Sequence, residues 1–129
     1  MSYAISTTVP KPYAETVEAV KAALADQGFG VLTEIDMQAT MKEKLNVDIP
    51  AQVILGACRP PLAYASLQAE PSIGLLLPCN VVVREAQDGT VVEAVDPEPM
   101  VEMSKNSDLQ AVADEAKQRL QQALAALSA

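Results

Sequence analysis

The chain has 129 residues, a formal net charge of −8 and 50% hydrophobic residues, with one Phe, three Tyr and no Trp. That length is enough for one domain with its own core and too short for two independent ones, so residues 1–129 are read as a single domain. The acidic balance makes nucleic acid a poor partner, the scarcity of aromatic rings argues against aromatic-rich recognition, and no apolar run reaches the roughly 20 residues of a membrane span.

The opening "MSYAISTTVPKPY" has no charged leader followed by an apolar core, so a cytoplasmic protein is expected. Its "SYAISTTV" alternates as a first strand with Tyr3, Ile5 and Thr7 on one face. A helix over residues 12–27 follows, with Pro12 in its first turn, Glu15 and Glu18 at the positive end of the dipole, and Tyr13, Val17, Val20 and Leu24 at helical spacing. Gly28 stops it. "FGVLTEI" is a second strand, after which Asp36 caps a short helix carrying Met37, Met41 and Leu45 one turn apart, with Asn46 as a left-handed terminator.

"QVILGAC" reads as a central strand covered on both faces, and "RPPLAYASLQAE" opens another short helix on two prolines, ended by Pro71 and Gly74. In "VVVREAQDGTVVEAV" the Asp88-Gly89 pair between two Val-rich runs signals an antiparallel hairpin. Pro97 and Pro99 break the second of these strands, and "EPMVEM" forms a helical turn. A last helix over 108–127, with Ser107 and Gln110 as a capping box, aligns Leu109, Val112, Ala113, Ala116, Leu120, Ala123, Leu124 and Leu127 on one face.

The order is β-α-β-α-β-α-β-β-α, an α+β fold with a mixed sheet of about five strands and its two long helices on one face. The other sheet face then needs cover, and a second subunit is expected to supply it, through that face or the short helices.

Three stretches, "GFGVLTEIDMQATMKEKL", "ILGACRPPLAYASLQAEPSIGLLLPCNVVVRE" and "VDPEPM", resemble the bacterial and archaeal family known as domain of unknown function 302, over most of residues 28–100. The resemblance implies a small α+β domain that associates as a dimer, and it implies no reaction. Arg59 departs from the family pattern, which usually has Asn after the first Cys, so a ligand contact made by that Asn would be altered here.

Candidate chemistry gathers at two cysteines, both expected as free thiols in a reducing compartment. Cys58 ends a strand directly before the Arg59-Pro60-Pro61 helix start, where the dipole and Arg59 would favour a thiolate; the competing role is that of a small buried filler. Cys79 follows Pro78 at the start of another strand, and a helix with its return loop between the two cysteines could bring them together. Such a pair could exchange a disulfide, hold a soft ion such as Cu(I), or simply line a pocket. Asn80 is the polar residue expected nearest a ligand, placed on the face opposite Cys79 unless a bulge turns it. Glu34 and Asp96 are candidate acids, with solvation and turn opening as their ordinary roles.

The chain has no His, which removes Ser-His-Asp and Cys-His catalysis and argues against zinc on ligand supply. No phosphate-cradling loop is present, and the five Met residues read as core or interface filler. No catalytic residue or cofactor is assigned. The leading expectation is a homodimeric binding or sensing domain with a pocket near Cys58, Arg59, Cys79 and Asn80, its small-molecule or soft-metal ligand unidentified. Thiol redox or thiol transfer through Cys58 and Cys79 is the second, and a purely structural interaction module the third.

Overall fold

Alternating apolar residues in the three inner strands project toward a single helical layer. Val53, Leu55 and Ala57 in β3 (Gln52–Cys58), Val81 and Val83 in β4 (Cys79–Ala86), and Val92 and Ala94 in β5 (Gly89–Val95) are all buried there. The structure, a computed structural model, describes residues 3–128. β1 (Ala4–Val9) and β2 (Gly30–Asp36) form the two edges of a five-stranded sheet ordered β1-β5-β4-β3-β2.

Class, element order and strand number follow the sequence reading, but the sheet is antiparallel at every pairing rather than mixed. The reason lies in the connections. From β2 to β5 each strand returns beside its predecessor, and the crossover that makes β1 and β2 run the same way spans the full sheet, so these two never pair. β3 lies inside the sheet as expected, although β4 takes its middle.

Helices α1 (Tyr13–Asp26) and α5 (Gln110–Ala126) cover one face together. Val17, Val20, Ala23 and Leu24 of α1 meet Leu120, Ala123 and Leu124 of α5 over the valines of the sheet. Of the stripe anticipated on the last helix, all but half-buried Val112 are buried. The expected Ser107 capping box does not form. Asn106 accepts the Asp108 amide and starts a 3-10 turn at Ser107–Leu109, from which α5 continues.

The short helix α2 (Met37–Leu45) begins on the Asp36 side chain, which accepts the Ala39 amide at 2.9 Å, and ends on Asn46 at φ 55°. It buries none of its residues, so Met37 and Met41 are not core filler. α3 (Pro60–Ala69) and a 3-10 turn at Pro71–Leu76 link β3 to β4, and α4 (Glu98–Ser104) links β5 to α5.

The second face of the sheet carries Ile35, Ile54, Val82, Val91 and Val95, none of them buried, around an Arg84–Glu93 ion pair. Arg84 and Ser6 both donate to the Glu93 carboxylate, which holds its pKa below the usual range. Gly56 lets Pro78 lie against this face, because a Cβ at residue 56 would stand 2.9 Å from the proline Cγ.

Candidate functional site: an apolar cavity at the end of the sheet

Where β3 stops and β4 starts, the helical layer does not close. α3 leaves the sheet at Arg59, and α5 presents Val112 and the methyl groups of Ala113 and Ala116 at this level, leaving a cavity of about 350 Å³. Leu62 and Ala63 of α3, Met100 and Val101 of α4, and Phe29 and Leu32 complete much of its wall.

Both cysteines line this cavity. Ala57 pairs with Cys79 in register, which sets Cys58 one residue beyond that pair. Both thiols are free. Burial, followed by the nearby Cys58, pushes the Cys79 thiol up to about 11. Cys79 is therefore a protonated, weakly nucleophilic wall group at neutral pH.

The geometry around Cys58 differs from the arrangement anticipated for an activated thiolate. Pro60 and Pro61 have no amide hydrogen, and the next two amides, of Leu62 and Ala63, both donate to the Arg59 carbonyl at 3.0 Å. The first turn of α3 thus has no unbonded amide to offer. The Arg59 side chain turns toward α1 and α5: its Nε donates to the Gln27 carbonyl at 3.2 Å, and Nη1 lies 3.4 Å from Glu115 Oε2. Arg119 Nε donates to the same carboxylate oxygen at 2.9 Å.

Arg59 still lines the cavity, so three of the six candidates, Cys58, Arg59 and Cys79, converge on it. The other three lie elsewhere. Asn80 pairs with Gly56 and is exposed on the opposite face, as regular strand geometry requires. Glu34 faces α1, with Oε2 3.0 Å from Lys21 Nζ. Asp96 accepts the Glu98 amide at 3.0 Å through Oδ1 and pairs with Lys117 at 3.2 Å through Oδ2, raising the lysine pKa.

Sequence reasoning missed the walls contributed by α3, α4 and the first half of α5. One signal was present: between Leu109 and Leu120 the stripe carries the small side chains of Ala113 and Ala116, and small side chains facing a partner leave space. Among the described residues, no cluster of three or more Cys, Asp or Glu is arranged to hold a metal ion, and no helix is long and apolar enough to cross a membrane.

The burial of Cys79 gives the stability a pH signature. Its folded-state pKa is raised from 9.0 to about 11, so the folded chain keeps a proton that the unfolded chain has lost across that interval. The contribution is complete below pH 9.0 and is lost as pH rises toward about 11, at up to about 1.4 kcal/mol per pH unit. Urea unfolding of the wild type and Cys79→Ala across this range should show the wild type declining more steeply; parallel curves would count against a buried, protonated thiol.

An antiparallel sheet with one helical layer and a cavity at its end defines a small α+β domain. The chain matches the "Domain of unknown function DUF302" family over residues 5–127 and belongs to it. It is also similar to the crystal structure of an uncharacterized conserved DUF302 protein from Bacillus stearothermophilus. That similarity has 28% identity and a TM-score of 0.90, over 97% of this chain and 98% of that one. No curated protein matches the chain.

Proposed function

We propose that the protein is a small-molecule binding domain whose ligand occupies the cavity beside Cys58 and Cys79. The observation that carries this reading is the cavity itself: about 350 Å³ of nearly unbroken apolar wall, within the size range of small-ligand sites, set where three helices fail to meet. Two free thiols accord with a reducing, cytoplasmic setting. Thiol exchange through the pair is less well supported. A partner thiol raised to about 11 contributes little thiolate with which to resolve a mixed disulfide at neutral pH.

The uncovered sheet face, with Ile35 45% exposed, favours association with a second copy. In that arrangement the helical layer and the cavity stay free, because they lie on the opposite side of the sheet.

Titration with N-phenyl-1-naphthylamine, a neutral apolar dye that brightens on leaving water, tests the reading. Saturable brightening is expected, and Ala113→Leu, which fills the cavity from α5, should weaken it roughly fivefold or more while the chain stays folded. No saturable binding by the wild type, or unchanged binding by the filled variant, would remove the cavity as the site. Sedimentation of the same sample should give twice the 13.6 kDa chain mass, and a 13.6 kDa species would overturn the dimer.

A further inference from the structure

We propose that the ligand of this cavity is a single-chain amphiphile with a carboxylate head, its hydrocarbon tail inside and its head on Arg59. The inference rests on the cavity being the binding site, and it follows from where polar side chains are absent. Besides the two cysteines, Ser66 and Arg59 are the polar side chains in the wall. Ser66 is buried and its hydroxyl donates to the Leu62 carbonyl at 2.8 Å, so it is satisfied within its own helix. Cys79 is a protonated thiol and a weak donor. The interior therefore suits hydrocarbon, and a ligand's polar group is stable only at Arg59.

Arg59 also determines the sign of that group. A guanidinium has five N–H donors and no acceptor, and among the described residues the partners of Arg59 engage Nε and Nη1, leaving Nη2 for a ligand. The arginine is already charge-balanced only in part. Glu115 is shared between Arg59 and Arg119, two cations on one carboxylate, and Arg119 makes the shorter contact at 2.9 Å. A ligand carboxylate would give Arg59 a partner of its own and leave Glu115 held by Arg119. The side chain of Arg59 is 20% exposed, so the head sits at the boundary between cavity and solvent, where a carboxylate keeps part of its hydration.

Displacement of bound N-phenyl-1-naphthylamine by decanoate and by decanol separates the proposal from the reading beneath it. Decanoate should displace the dye at a concentration roughly tenfold or more below decanol, the advantage expected of a charge-assisted hydrogen bond. Arg59→Gln should abolish that preference while dye binding persists, and Glu115→Gln, which leaves the contacts of Arg59 to Gln27 in place, should strengthen decanoate binding. Equal displacement by both compounds, or a preference that survives Arg59→Gln, overturns the carboxylate proposal and leaves the cavity intact as a site. Failure of the dye to bind at all overturns both. Should Arg59→Gln not fold, the Glu115→Gln result decides: unchanged or weaker decanoate binding would sink the proposal.

Discussion

Replacing Gly89 with Ala should destabilise the protein by about 3 kcal/mol, a loss of roughly 10 °C in Tm. Two effects add. Gly89 has φ +137°, a conformation that side-chain-bearing residues rarely adopt, and a Cβ there would stand 2.4 Å from the Val9 carbonyl oxygen and 3.2 Å from its carbon. The obstacle is backbone, so no rotamer change relieves it. The end of β1 would have to move, and with it the pairing of Val9 with Thr90 and the 2.8 Å bond from Thr90 Oγ1 to the Lys11 carbonyl. Gly30→Ala supplies the control: φ is unexceptional and the nearest atom to its Cβ is 3.9 Å away, so a change within about 0.5 kcal/mol is expected. If urea unfolding finds both substitutions equally mild, the close approach of β1 to the hairpin is wrong.

Leu120→Ala should cost about 3 to 4 kcal/mol, at the upper end for a leucine with no exposure. Leu120 lies in the cluster that joins α5 to α1 and to the sheet, so truncation leaves a void that surrounding strands cannot readily close. Against a typical total stability of about 5–15 kcal/mol, this is a substantial fraction. The urea midpoint should fall with an unchanged slope, and Leu75→Ala, at a position 87% exposed, should shift it hardly at all. A shift no larger at Leu120 than at Leu75 would refute the packing of α5 described above. Because Leu120 lies beyond Ala116, away from the cavity wall, dye binding by the folded variant should be preserved.

The elements that were legible in the sequence are those set by local chemistry. The Asp88-Gly89 hairpin, the Asp36 cap and the Asn46 terminator each require only a few neighbouring residues, and each is present. The apolar stripe of the last helix was readable because its period matches the helix. What required tertiary information was different in kind. No periodicity shows that Arg59 turns toward Gln27 and Glu115, residues remote from it in the chain. Strand alternation did place Asn80 opposite Cys79, but nothing local shows that Asp96 is held by Lys117. The antiparallel sheet was missed because direction depends on which edge each crossover reaches, and the core half of the core-or-interface reading of Met37 and Met41 failed because helical spacing does not show what lies against a helix.

The placement of β1 bears on the order in which the molecule can assemble. Ala4 pairs with Val95 and Val9 with Thr90, so among the described residues the first strand has its sheet neighbour in the last. The β4–β5 hairpin closes over a turn of a few residues and costs little chain entropy, whereas β1 must close a loop nearly the length of the domain. During synthesis the N-terminal strand emerges first and remains without its neighbour until the hairpin has left the ribosome. The last strand to leave is thus the one that completes the sheet at the chain's own beginning, and a truncation removing β5 would strand β1 as well.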